Sequence, residues 1–131
     1  MSEIKKERIN FLNTYIDNFT FSEAKEKVDM LINEKGYHYV VTPNADIIVK
    51  MQDDFELKSI CDNADLILTD GQILVKLSKY LGNPIKERVC MTDFVWDVFD
   101  LAVEKKYTVF LFGGKENVLL KAVENIKKRV P

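Results

Sequence analysis

The sequence predicts an α/β fold: a Rossmann-like, mostly parallel sheet flanked by helices and incomplete on its C-terminal side. Three observations predict it. Apolar, β-prone runs at His38–Val41, Asp65–Thr69 and Tyr107–Phe112 alternate with helical patterns, and that alternation is the mark of βαβ units. Each run ends in a short polar or glycine-containing segment: Thr42-Pro43-Asn44, Thr69-Asp70-Gly71 and Gly113-Gly114-Lys115. If the three runs lie side by side, all three segments reach the carboxyl edge of the sheet, where open α/β sheets bind ligands. No internal repeat, low-complexity tract or linker interrupts the 131 residues, so residues 1–131 read as a single domain.

The elements follow in order. Ile9–Asp17 is mixed and has room for one or two short strands. Thr20-Phe21-Ser22-Glu23 is a capping box, after which Ala24, Val28, Leu31 and Ile32 recur at helical spacing until Gly36 stops the helix. His38–Val41 is a short strand, and Asn44 caps a helix carrying Ile47, Ile48 and Met51. Phe55–Cys61 is a further helix, broken at Asp62-Asn63, and Asp65–Thr69 is a second, buried strand. A helix from Gly71 places Ile73, Leu74, Leu77 and Leu81 on one face, and Gly82-Asn83-Pro84 ends it. Thr92 or Asp93 caps the next helix, with Val95, Val98, Phe99 and Ala102 as its inner stripe. Tyr107–Phe112 is the third strand, and a last helix from about Glu116 turns Leu119, Ala122, Val123 and Ile126 inward. The chain stops soon after, at Lys127-Lys128-Arg129-Val130-Pro131, which leaves a βα array with an unpaired edge; the expectation is a truncated domain.

Composition removes several function classes. Net charge is −2, so no global field favours nucleic acid or an anionic membrane. Cys61 and Cys90 are far apart and lack metal-ligand spacing, which argues for reduced, partly buried thiols in a cytosolic protein. The charged start Met1–Arg8 has no apolar segment behind it and is no signal peptide, and the apolar stretch near Val109–Phe112 is too short to span a bilayer. No His, Cys, Asp and Glu cluster has metal-binding spacing, and there is no DxD motif.

The strand-end segments carry the candidate chemistry. Asp70 follows Ile67-Leu68-Thr69, and a carboxylate beside partly desolvated surface suits general-base work; it is equally a helix N-cap. Gly71 removes a side chain where a ligand approaches. Thr42 and Asn44 offer neutral hydrogen-bonding groups to a sugar or diphosphate, or simply end a strand and cap a helix. Gly113-Gly114-Lys115 presents backbone N–H groups and a charge to an anion, although it is neither a GxGxxG nor a P-loop pattern, and a tight turn accounts for it as well. Arg88 suits bidentate phosphate contact, or an ordinary ion pair with a nearby acid. His38 reads as a half-buried structural histidine, and the aromatic residues as packing.

Several segments together resemble the WecG/TagA/CpsF family of bacterial glycosyltransferases. They are Thr42-Pro43-Asn44-Ala45-Asp46-Ile47, Ala64-Asp65-Leu66 leading into Asp70-Gly71, Leu81-Gly82-Asn83-Pro84-Ile85-Lys86-Glu87-Arg88-Val89, Thr92-Asp93-Phe94, and Val109-Phe110-Leu111-Phe112-Gly113-Gly114. Their order and spacing fit from about Thr20 onward. The resemblance implies inverting, metal-independent transfer of an N-acetylmannosamine-type sugar from a UDP donor, with no further cofactor. The acceptor implied is a polyprenyl-diphosphate-linked N-acetylglucosamine, in teichoic acid or surface polysaccharide synthesis. It also implies a cytoplasmic protein, peripheral at the inner membrane face, with no nucleic-acid partner. Asp70 would be the catalytic base and Thr42 an active-site residue, with Asn44, Gly71, Arg88, Gly113 and Gly114 lining the pocket. The sequence departs from the family pattern at Ile73 and Met91, where glycine is usual, and at Asp46, where Glu is usual. Family members also continue well past this length. Two other readings stand beside this one: a non-catalytic nucleotide- or phosphate-binding α/β module built on Gly113-Gly114-Lys115, and an inactive fragment that self-associates into a homo-oligomer through its sheet edge.

Overall fold

The computed structural model describes residues 8–130; the N-terminal segment read above as no signal peptide lies, apart from Arg8, outside the described residues, as does Pro131. The chain forms two compact units, one running to Phe94 and the other starting at Val95.

The first unit opens with a hairpin. β1 (Arg8–Phe11) pairs antiparallel with β2 (Thr14–Asp17), from Arg8 opposite Asp17 to Phe11 opposite Thr14. The two-residue loop Leu12-Asn13 has φ of +51° and +61°, the left-handed pair that matches the twist of the flanking strands. Side chains then alternate, with Thr14 and Ile16 buried and Tyr15 exposed. Helix α1 (Phe21–Asn33) starts at the expected capping box: the Glu23 N–H donates to Thr20 Oγ1 at 3.3 Å and the Thr20 N–H to Glu23 Oε2 at 2.7 Å. That bond to the Thr20 backbone, helped by Lys86, holds the Glu23 carboxyl below the usual carboxylate range. The helix ends at Asn33, and Gly36 turns with φ +125° before the next strand.

β3 (Val40–Val41) and β4 (Leu66–Ile67) form a parallel pair, Val40 opposite Leu66 and Val41 opposite Ile67. Backbone bonds extend the ladder at both ends, from Asp65 N–H to Tyr39 O at 3.1 Å and from Leu68 N–H to Val41 O at 2.9 Å. Helices α2 (Ala45–Lys50) and α3 (Phe55–Asp62) make the crossover. β4 is the more deeply buried of the pair: Leu66, Ile67 and, just beyond it, Leu68 are fully buried. α4 (Gln72–Tyr80) follows and stops before Gly82 at φ +79°. Its buried Ser78 hydroxyl donates to Val75 O at 2.8 Å and accepts from the Ile85 N–H at 2.9 Å, so no polar atom is stranded there. Phe11, Ile16, Ile48, Leu74 and Ile85 form a shared core cluster.

One polar knot ties the hairpin to the parallel pair. The Asp17 side chain is 2% exposed. Its carboxylate accepts from Arg8 Nε and Nη2, each at 2.9 Å, and from the Ile67 backbone N–H at 2.8 Å. Arg8 also donates to the backbone carbonyls of Asp62 and Ala64. Its hydrogen bonds to Asp17 raise the guanidinium's pKa.

The second unit contains the remainder of α5 (Met91–Lys105) and α6 (Glu116–Arg129). α5 starts at Met91, which puts Thr92 and Asp93 inside its first turn rather than at the cap. Lys106, at φ +59°, stops the helix, with the Tyr107 N–H bonded back to Ala102 O at 2.8 Å. Near the end of α6, Arg129 lies over the Trp96 ring at 3.9 Å, and Trp96 meets Phe99 edge-on at 5.6 Å.

The architecture also corrects the sheet expected from the sequence. The fold is mixed α/β with two small two-stranded sheets, one of them parallel. The expected third strand, Tyr107–Phe112, is not a strand. A strand exists only where a neighbour takes up its backbone groups. Among the described residues, Val109, Phe110, Leu111 and Phe112 form no backbone-to-backbone hydrogen bond.

Candidate functional site

The site is built where β3 and β4 end. Thr42 follows β3 directly, and Asp70 lies three residues beyond the end of β4, its parallel partner. Thr42 and Asp70 are both half-buried, and Pro43 beside Thr42 is buried.

Asn44 does the local work expected of it. Its Oδ1 accepts from the Ile47 N–H at 3.0 Å and caps α2. Asp70 does not. The N-cap of α4 is Gly71, at φ +131°, a backbone conformation open to glycine, and no side chain caps that helix. Among the described residues no hydrogen bond or ion pair engages the Asp70 carboxylate. A cap role therefore does not account for Asp70, whereas it does account for the side-chain oxygen of Asn44.

Thr69 was passed over in the sequence. It is 2% exposed, and its Oγ1 is buried without a hydrogen-bond partner. The available signal was a hydroxyl closing the apolar run Leu66-Ile67-Leu68, immediately before Asp-Gly. An unpaired buried hydroxyl costs about 1–3 kcal/mol. Thr69→Val should therefore raise the urea midpoint by the equivalent of ~1 kcal/mol or more; a lower midpoint would show that the hydroxyl is satisfied.

His38 and Asp65 lie at the opposite end of the parallel pair. His38 Nδ1 is 3.1 Å from Asp65 Oδ1, and the Tyr39 N–H donates to Asp65 Oδ2 at 3.0 Å. Those two bonds, the histidine's being the larger influence, hold the Asp65 carboxyl below the usual range. This is a structural staple at the strand starts, away from the edge where Thr42 and Asp70 lie.

Arg88 is half-buried in the 83–90 connection, with Nη2 3.8 Å from Asp93 Oδ2. Ile73 is 65% exposed on α4, and Met91 is half-buried at the start of α5. Asp46 pairs with Lys50 at 2.8 Å on the exposed side of α2. In the second unit, Gly113 and Gly114 take φ of +115° and +75° and lead into α6, whose N-cap Lys115 makes no side-chain cap bond. Cys61 and Cys90 are buried free thiols, and burial pushes the Cys61 thiol up from its ordinary value. Among the described residues no three His, Cys, Asp or Glu side chains are grouped to hold a metal ion, and no helix is long and apolar enough to cross a membrane.

Comparison with known proteins converges on one family. The model of the glycosyl transferase WecG/TagA/CpsF family matches residues 9–131. An N-acetylglucosaminyldiphosphoundecaprenol N-acetyl-beta-D-mannosaminyltransferase of Bacillus spizizenii is 30% identical over 124 residues, covering 95% of this chain and 47% of the relative. A protein of the same name from Bacillus subtilis is 24% identical over 123 residues, covering 94% of this chain and 46% of the relative. The chain thus spans about half the length of the relatives it matches. With a family match that runs through almost every described residue, this chain belongs to the WecG/TagA/CpsF family of glycosyltransferases.

Proposed function

We propose that this chain supplies the catalytic edge of an enzyme that transfers an N-acetylmannosamine-type sugar from a UDP donor to a polyprenyl-diphosphate-linked N-acetylglucosamine. The transfer is inverting and metal-independent and serves teichoic acid or surface polysaccharide synthesis. The observation that carries this reading is the Asp70 carboxylate, half-buried, not used as a cap, and on the same strand edge as Thr42. The family membership and the printed activity of the two Bacillus relatives support the choice of substrates.

In this mechanism Asp70 takes the proton of the acceptor hydroxyl as its oxygen attacks the anomeric carbon of the donor. The bond from that carbon to the UDP oxygen breaks, and UDP leaves with the electron pair. Thr42 and Asn44 orient sugar or diphosphate groups, Asn44 through the amide nitrogen that its cap bond leaves available. Gly71 keeps the approach to Asp70 open. Arg88 meets the negative charge of the departing diphosphate. A peripheral position at the inner membrane face belongs to the same proposal.

A second reading, a nucleotide- or phosphate-binding module, draws on the two positive-φ glycines ahead of the uncapped α6. Calorimetric titration separates the two. Under the transferase reading, UDP-N-acetylmannosamine binds more tightly than UDP, and Thr42→Ala weakens the sugar nucleotide by about tenfold, the loss of one hydrogen bond of ~1 kcal/mol or slightly more. Equal affinity for UDP and UDP-sugar, unchanged by Thr42→Ala, would favour the module instead.

A further inference from the structure

A cleft lies in the first unit where α1 runs out and the chain turns toward β3. It encloses about 310 Å³, and Val28, Leu31 and Ile32 of α1 give it an apolar wall. Glu34, Gly36 and His38 line it as well, and among the described residues no lysine or arginine does. The volume is at the small end of the range for ligand pockets.

The two ring nitrogens of His38 meet different surroundings. Nδ1 is 3.1 Å from Asp65 Oδ1, and Asp65 also accepts from the Tyr39 N–H. Those bonds hold the Asp65 carboxyl below its usual range, so it is ionised and can only accept. Nδ1 therefore carries the hydrogen, and in the neutral ring Nε2 is left as a bare acceptor. Nε2 is buried, and among the described residues no hydrogen-bond partner meets it. Gly36 flanks that edge of the ring: a Cβ placed on Gly36, at φ +125°, would stand 3.8 Å from Nε2. With no side chain there, the way from the cleft to Nε2 stays open. A buried acceptor with nothing to accept costs free energy, and a donor arriving through the cleft removes that cost.

Charge selects the donor. Glu34 brings a carboxylate to the cleft. It is also the C-cap of α1, whose last turn holds no basic residue, so the negative end of that helix is uncompensated. An anion is repelled by both features, and a neutral hydroxyl gains little from either. A primary ammonium has three N–H donors and is attracted by both, and an aliphatic stem behind it packs on the apolar wall. We propose that this cleft binds a primary ammonium group on an aliphatic stem, that of a free alkylamine or of a lysine side chain. One N–H is donated to His38 Nε2, and Glu34 balances the charge. The site uses neither Asp70 nor Thr42 and stands independently of the sugar-transfer reading.

Nuclear magnetic resonance of the full chain, isotope-labelled in its histidine ring, tests this. At mildly alkaline pH the free protein should show hydrogen on Nδ1 and none on Nε2. n-Butylammonium should then shift Nε2 saturably, with a dissociation constant on the order of 1 mM, as expected for a ligand of so few atoms. Butyrate should leave the resonance where it is, and n-butanol should bind at least about fivefold more weakly than the ammonium. Glu34→Gln, at an exposed position, should weaken the ammonium about threefold, the scale of an exposed charge pair, with the urea midpoint unchanged. His38→Phe should abolish binding, followed through the Gly36 amide; if that variant does not fold, Glu34→Gln decides. Nα-acetyl-lysine N-methylamide binding more tightly than n-butylammonium assigns the site to a lysine side chain, and the reverse order assigns it to a free amine; either order supports the site. Hydrogen on Nε2 in the free protein overturns the proposal. So does the absence of a saturable shift at about ten times the expected dissociation constant, equal binding of n-butanol, or a Glu34→Gln protein that binds the ammonium unchanged.

Discussion

Asp70→Asn, made in a form of the protein that transfers sugar, should lower turnover by ~10²–10⁴, the usual contribution of a positioned general base. Asn keeps the shape and hydrogen-bonding capacity of the side chain and removes only its ability to accept the proton. Because Gly71, not Asp70, is the N-cap of α4, the substitution should leave the urea midpoint nearly unchanged. Donor affinity should change little, so the loss should appear in kcat and not in KM. Asn44→Ala provides the contrast: it removes an observed cap bond and should cost ~1 kcal/mol of stability. Near-normal turnover in a folded Asp70→Asn protein would remove Asp70 from the mechanism.

The largest stability effect should come from Asp17→Ala. Removing this carboxylate leaves Arg8 without its charged partner and the Ile67 N–H without its acceptor. Breaking a buried pair from one side costs about 3–5 kcal/mol, much of the 5–15 kcal/mol by which a typical domain is stable at all. The damage should also reach the site, because the Ile67 N–H is the point where Asp17 holds β4, and β4 leads into Asp70. Two controls isolate the cause. Replacing both partners together, Arg8→Met with Asp17→Leu, should recover a good part of the loss, since no lone charge is then buried. Asp46→Ala removes the exposed partner of Lys50 and should cost at most a few tenths of a kcal/mol. Denaturant midpoints for the four proteins decide the matter; equal losses for Asp17→Ala and Asp46→Ala would contradict this account of the knot.

What could be read in the sequence was local. The capping box at Thr20 and Glu23 is complete within four residues, so neighbours along the chain settle it. The Asn44 cap is of the same kind. The strand at Leu66–Ile67 is short but unbroken by polar residues, and its burial follows from composition. Asp70 was harder to read: its cap role and its site role use the same residue type at the same place. Only the backbone at Gly71, φ +131°, shows that the cap falls one residue later. Thr69 was missed because a threonine at a strand end is ordinary until its hydroxyl is found buried and unpaired.

Amino-acid order alone was therefore enough to specify the helices, the caps at Thr20 and Asn44 and the family pattern, because each depends on contacts a few residues apart. The folded chain decided the rest. Asp17 reaches the Ile67 N–H across 50 positions, a partnership that no periodicity announces. Tyr107–Phe112 has the composition of a strand, but a strand is a relation between two backbones. Its state depends on which neighbour is present to share its hydrogen bonds.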